Sequence, residues 1–291
     1  MKLLLLGAGG QLGQAFCQSP FWPGNNSLAL NHAQLDITDS KALQQLITAY
    51  QPDVVINCAA YTKVALAQQQ AELCLQINTN AVVHLAQLCA KAQCLLVQFS
   101  TDYVFNGEKG SAYIETDSTA PLNVYGQSKL LAEQAIQQHC QRYLIFRTSW
   151  LFSQYGHNFY RTMLTLAEKG TAISVVDDET GCPTYAGDVA DAVLKVLAQY
   201  NQSDKAQFSY GIYHLASTPA VSWYQFASAI FAAHQLTPVL TAVSSKHWAG
   251  GVKRPAYSAL NSRAFSTTFG ISLPSWQQAL TRLSRHRDKG D

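Results

Sequence analysis

The chain opens on an unbroken apolar run, Leu3 to Leu6, and runs of the same kind recur at 27–30, 54–57, 94–100 and 143–147. Such stretches read as strands buried on both faces. Between them lie segments of helical length, including 40–50 and 72–91. Strands and helices alternating in this way predict an α/β fold: a Rossmann-like, doubly wound parallel sheet with right-handed crossovers and helices on both sides.

After Arg147 the rhythm changes. Polar and aromatic residues fill 150–160, a helix is expected over 159–169, and Gly181-Cys182-Pro183 interrupts the pattern. A helix over 186–200 and an apolar strand at 213–215 are expected to return to the sheet. From about Thr218 onward, helices and short strands read as a smaller C-terminal part packed over the sheet's carboxyl edge. The expected division is a dinucleotide-binding domain of 1–150 with 184–216, and a substrate-binding domain of 151–183 with 217–291.

Composition narrows the function classes. The 291 residues are 48% hydrophobic and 13% charged, which suits a compact globular protein and argues against long disorder. A net charge of +2, with basic residues scattered until a short tail at 282–289, predicts no nucleic-acid partner; that tail reads as a solvated helix end. The seven cysteines form no CxxC pair and sit partly in apolar runs, as buried thiols would in a reducing cytoplasm. They offer no structural zinc spacing, and no metal is predicted. Gly7 cuts the first apolar run too short for a signal peptide, and no segment is long enough to span a membrane.

The first candidate chemistry lies directly after the first strand, in Gly7-Ala8-Gly9-Gly10-Gln11-Leu12-Gly13. Gly7 permits a tight turn, Gly10 lets backbone amides approach a pyrophosphate, and Gly13 lets the helix pack close to the strand. Between a first strand and a first helix, this is the signature of a dinucleotide site. An acid at the end of the second strand would select NADH by binding the ribose 2′-hydroxyl. Asn31-His32 stands there instead, so both cofactors fit, with a lean to NADPH. Asp36 and Ile37 either border the adenine, or Asp36 caps the helix that begins near Asp39. The third strand ends in Ala59-Ala60-Tyr61-Thr62, small residues over which a dinucleotide could lie.

Tyr125 and Lys129 stand four apart on one helix face. A neighbouring ammonium and an oxidised nicotinamide both stabilise a phenolate, which eases proton transfer between Tyr125 and a carbonyl oxygen during hydride reduction. Lys129 would also hold the nicotinamide ribose. Thr101, at the end of the fourth strand, offers a hydroxyl to the same oxygen. Asn78 either binds a backbone carbonyl and a water linking Lys129 to solvent, or is an ordinary mid-helix asparagine.

These motifs, with PDVVINCAAYT, FSTDYVFNG, ETDSTAPLNVYGQSK, LIFRTSWLF, GCPTYAGDVA and RPAYSALN, resemble the dTDP-4-dehydrorhamnose reductase family of extended short-chain dehydrogenases/reductases through most of the chain. The resemblance implies NADPH- or NADH-dependent reduction of a 4-keto-6-deoxy sugar on dTDP. It also implies a homodimer as the assembly to test for. It assigns Thr101, Tyr125 and Lys129 to catalysis, and turns Thr101, Asp102 and Trp150 toward the sugar. Arg254 it places at the nucleotide end, where a guanidinium suits diphosphate oxygens; structural roles for Trp150 and Arg254 stay open. Two departures stand out. The family's acidic residue after Ala-Tyr-Thr is replaced here by Val64-Ala65, and the first-helix glutamate with which some relatives hold magnesium is replaced by Gln14-Ala15. A nucleotide-sugar dehydratase would carry Asp-Glu after Thr101, whereas Thr101-Asp102-Tyr103 lacks the second carboxylate, and the typical epimerase motifs are missing. A non-catalytic NADP-binding subunit, of which the β subunit of methionine adenosyltransferase is an example, would keep the cofactor site; the intact Thr101, Tyr125 and Lys129 favour an enzyme.

Overall fold

A computed structural model describes residues 1–247 and 251–287; the end of the expected basic tail, Lys289, lies outside the described residues. The chain runs β1 (Leu3–Leu6), α1 (Gln11–Gln18), β2 (Ser27–Leu30), α2 (Ser40–Tyr50), β3 (Val54–Asn57), α3 (Val64–Ala67), α4 (Ala71–Leu75), α5 (Ala81–Ala92), β4 (Leu95–Thr101), α6 (Val124–His139) and β5 (Tyr143–Thr148). It continues through β6 (Leu151–Phe152), α7 (Phe159–Glu168), β7 (Ile173–Val176), β8 (Thr180–Gly181), β9 (Thr184–Tyr185), α8 (Ala186–Gln202) and β10 (Gly211–His214). The last elements are β11 (Val221–Ser222), α9 (Trp223–Ala233), β12 (Leu240–Val243), α10 (Arg263–Phe269) and α11 (Trp276–Arg287).

Six strands form one parallel sheet in the order β10-β5-β4-β3-β1-β2. The unbroken leucines of β1 are explained by its central place: Leu3 and Leu5 face a core under α1 and α8, while Leu4 and Leu6 face another under α2, α5 and α6. The chain moves outward from β1 to β2, then crosses back to place β3 on the other side of β1. That reversal opens a crevice at the carboxyl ends of β1 and β3, where ligands of doubly wound folds bind.

The remaining short strands pair as β7 with β12, β8 with β11 and β6 with β9. A separate apolar cluster gathers Phe152, Met163, Phe226, Trp276 and Leu280 from β6, α7, α9 and α11. One segment departs from the expected division. Helix α10, placed by sequence with the smaller part, lays Phe265 and Phe269 on the sheet core beside Phe146 and Tyr213. Among the described residues, no helix is long and apolar enough to cross a membrane.

Candidate active site

The glycine turn sits in the crevice at the switch point. Gly7 has φ +79°, and a Cβ there would fall 2.5 Å from the Ala59 nitrogen, so the ends of β1 and β3 touch backbone to backbone. At Gly13 a Cβ would strike the Gly7 carbonyl at 2.3 Å, which explains how α1 packs so close to its strand. Gly10 differs. A side chain there would meet only the Gly7 oxygen at 3.5 Å, an ordinary contact, and Gly10 starts α1 with no side-chain cap. Packing does not require its bareness, which instead leaves the amides of Gln11, Leu12 and Gly13 open to an anion at the helix start. These residues therefore fit a dinucleotide pyrophosphate. The Gln11 side chain turns the other way, its amide donating to the Leu151 carbonyl at 3.3 Å.

At the end of β2, Asn31 exchanges hydrogen bonds with Gln34 and lies against Gly9. The capping alternative for Asp36 is corrected: Asp39 accepts from Ala42 N at 2.9 Å and caps α2. Asp36 accepts from the Thr38 amide and hydroxyl at 2.9 and 2.8 Å, and the amide bond leads in lowering its pKa. Ile37 is buried in the core beneath α2, where packing accounts for it.

Beyond β3 the loop is clamped from below. Asn78 accepts from Tyr61 N at 2.8 Å and donates to Tyr61 O and Ser128 Oγ, both at 3.0 Å. The expected single helix over 72–91 is broken there: Gln76–Asn80 forms a π-turn between α4 and α5. The turn aims buried Asn78 at the loop and at α6 together. Of the two readings of Asn78, the backbone-carbonyl contact is present. Tyr61 packs beside Tyr125, while Thr62 is exposed and Ala60 is partly so.

Helix α6 carries the candidate pair. Asn123 caps it by accepting from Gly126 N at 2.9 Å, and Gly126 lets it press on Tyr103, whose carbonyl oxygen a Cβ would meet at 2.2 Å. Tyr125 is half-buried, edge-on to Tyr103 and near enough to the Thr101 side chain for that hydroxyl to lower its pKa. Lys129 is buried and close enough to Cys58, behind the glycine turn, for its charge to be felt there. Thr101, Tyr125 and Lys129 are thus gathered around the crevice. Burial pushes Lys129 down to about 8, and the Glu133 carboxylate one turn on works against that.

Without the cofactor, desolvation pushes Tyr125 well above its ordinary value, and negative Asp102 adds to the rise. The nearby Thr101 hydroxyl only partly opposes it. In the protein alone Tyr125 is a firmly protonated donor.

Around this cluster the expected residues Asp102, Trp150 and Arg254 are joined by Ser258, Glu133 and Arg147, which sequence reading did not single out. Asp102 is buried, accepting from Thr101 Oγ1 at 3.1 Å and from Ser258 Oγ at 2.5 Å. Glu133 and Arg147 form a buried ion pair at 2.7 Å beneath Lys129. A charge partner for Arg147 could have been sought in sequence from its place inside an apolar strand; nothing in sequence linked Ser258 to Asp102. Trp150, at φ +47°, stacks on Trp223 with centroids 3.5 Å apart and presses on Gly181. One face is covered by Trp223, and the residue as a whole is only partly buried. Arg254 faces Glu179 at 4.0 Å and lies near enough to Tyr103 to lower its pKa.

With this geometry established, comparison with known proteins is direct. The family model "RmlD substrate binding domain" matches residues 1–288. The dTDP-4-dehydrorhamnose reductase of Aggregatibacter actinomycetemcomitans is 37% identical over 99% of both chains. The crystal structure of dTDP-4-dehydrorhamnose reductase from Bacillus anthracis in complex with NADP superposes with a TM-score of 0.89 at 33% identity, covering 97% of this chain and 98% of that one. An orthologue from Clostridium acetobutylicum reaches 0.91, also at 33% identity, over 99% and 100%. The match along the whole chain, and not at the glycine turn alone, makes this protein a member of the dTDP-4-dehydrorhamnose reductase family.

Proposed function

We propose that the protein reduces the 4-keto group of dTDP-4-dehydrorhamnose to give dTDP-L-rhamnose, with NADPH as the preferred reductant and NADH as the alternative. The observation that carries the reading is the meeting of Tyr125, Thr101 and Lys129 beside the open glycine turn. The amides after Gly10 would hold the pyrophosphate, with Asn31 and Asp36 toward the adenosine and Ala59 to Thr62 beneath the dinucleotide. Lys129 would hold the nicotinamide ribose. When bound, the cofactor supplies hydride to the carbonyl carbon. Tyr125 gives its phenolic proton to the carbonyl oxygen, and Thr101 steadies the charge that develops on that oxygen. Asp102 and the exposed part of Trp150 would border the sugar, and Arg254 the diphosphate. The smaller part, 151–183 with most of 217–291, would carry these substrate contacts. Seven free thiols suit a cytoplasmic site of action.

The test mixes the protein with dTDP-4-dehydrorhamnose and either reduced nucleotide, following nicotinamide absorbance and identifying the sugar. Stoichiometric nicotinamide oxidation with formation of dTDP-L-rhamnose is expected, faster with NADPH. Tight NADPH binding without oxidation by any dTDP-4-keto sugar would mark a binding subunit instead.

A further inference from the structure

Asp102 has an unusual place for a carboxylate. It follows the last residue of β4, is buried, and takes hydrogen bonds from two hydroxyls, one on each oxygen: Thr101 Oγ1 at 3.1 Å on Oδ1 and Ser258 Oγ at 2.5 Å on Oδ2. Ser258 reaches it from the far end of the chain, where its backbone is held by its own amide donating to the Thr180 carbonyl at 2.8 Å. The Thr101 oxygen is meanwhile held by the Tyr103 amide at 3.2 Å.

A hydroxyl carries one proton. If Asp102 is ionised, the Thr101 proton is drawn to Oδ1 and is lost to any substrate oxygen. If Asp102 is a carboxylic acid protonated on Oδ1, the bond reverses. Oδ1 then donates to Thr101, and the Thr101 proton is free to point into the crevice beside Tyr125. The Ser258 hydroxyl is compatible with both states: donating to Oδ2 it opposes protonation, but it leaves Oδ1 as the oxygen that takes the proton when one is bound.

We propose that Asp102, gripped by Ser258, is a positioning residue that acts in its protonated form to turn the Thr101 hydroxyl toward the reacting oxygen. This rests on the reductase reading of the same site. The electrostatic surroundings support it. Burial pushes Asp102 up to about 7, against the two hydroxyl bonds and those of the Asp102 and Tyr103 amides. The groups facing it are Tyr103 beside it, Tyr125 on α6 and Cys182 after β8, with Arg254 and Glu179 flanking Tyr103. Both phenols are raised and the Cys182 thiol stands at about 11, so these three stay neutral while Asp102 titrates. Lys129, on the helix behind, loses its proton near 8.

The experiment compares pH profiles of NADPH-dependent reduction for wild type, Asp102→Asn, Ser258→Ala and Ser258→Thr. In the wild type, losing the Asp102 and Lys129 protons in turn should make log kcat fall with a slope approaching about two per pH unit above both midpoints. The asparagine amide is a permanent donor where the acid proton would sit. Whatever its absolute rate, Asp102→Asn should retain only the Lys129 step, with a slope of about one. Ser258→Ala removes a bond that stabilises the carboxylate, so its lower midpoint should move up, while kcat falls about tenfold as the carboxyl loosens. Ser258→Thr should restore both. An Asp102→Asn enzyme with the wild-type slope, or one that binds NADPH but is inactive at every pH, overturns the proposal by showing that the carboxylate itself is not titrating or is required. Infrared spectroscopy of the NADPH-bound protein separates this from failure of the reductase reading. A carboxylic-acid C=O band that fades near pH 7, is lost in Asp102→Asn and moves up in Ser258→Ala is expected with or without turnover. Absence of that band overturns the proposal independently of activity.

Discussion

A lysine as deeply buried as Lys129 holds its proton less firmly than one in water, and here the midpoint is brought down to about 8. The ammonium is the form that can steady a ribose hydroxyl and a developing phenolate, so reduction should decline as pH rises through that value. Glu133 opposes the fall in pKa. Glu133→Gln should therefore move the decline to lower pH, a shift readable in single-turnover rates. The same change leaves Arg147 buried without its carboxylate, and unfolding in denaturant should reveal a loss of about 3–5 kcal/mol. Tyr125 is tested more simply. Tyr125→Phe keeps the ring that packs on Tyr61 and Tyr103 but removes the proton. NADPH affinity should stay within a few-fold while turnover falls by at least about a hundredfold, the scale of a lost acid catalyst. Retained turnover would remove Tyr125 from the mechanism.

At the scale of elements, the site depends on how α4, the π-turn and α5 sit against α6. Asn78 joins the loop after β3 to the Tyr125/Lys129 helix through Tyr61 and Ser128, and Thr79 Oγ1 donates to the Ser128 carbonyl at 2.8 Å. In Asn78→Ala, the buried Tyr61 amide and carbonyl both lose their partner. A loss of about 2–4 kcal/mol is expected by denaturant titration, with turnover falling further than NADPH affinity because α6 is freed to shift. Equal stability would mean that water replaces the amide. The turn itself was not legible in sequence. An i→i+5 step leaves the apolar spacing of 72–91 close enough to helical to pass unnoticed, whereas the buried strands announce themselves because both faces are covered. The glycine turn was legible for a similar reason: at Gly7 and Gly13 the close approach tolerates no side chain. For Trp150 sequence left a sugar contact and a structural role open; its stacking on Trp223 depends on a long-range approach that no local pattern records.

For the whole molecule, the stretch 217–291, expected to lie with the smaller part, packs on both apolar clusters. The chain leaves the cluster of α7 and α9, returns to the sheet as α10, then goes back as α11, whose Trp276 and Leu280 join that cluster. Arg282 also meets Asp188, near the start of sheet-covering α8, with both carboxylate oxygens at 2.6 Å. Two apolar clusters threaded by one segment should melt together. Phe265 tests this, being fully buried and edge-on to Phe146 of β5 at 5.8 Å. Phe265→Ala should cost about 3–5 kcal/mol through the cavity it leaves. NADPH at about a hundredfold above its Kd should return roughly 2.7 kcal/mol of that, because only the folded sheet binds it. Trp150, Trp223 and Trp276 lie in or against the smaller cluster and Trp22 against the sheet core, so in a Trp22→Phe background tryptophan emission is weighted to the smaller part while far-ultraviolet circular dichroism follows the entire chain. In Phe265→Ala both signals should move to the same lower midpoint. If emission kept the wild-type midpoint while the dichroism shifted, the smaller cluster would fold without the sheet, and α10 would be an appendage of the cofactor half instead of the tie between the two.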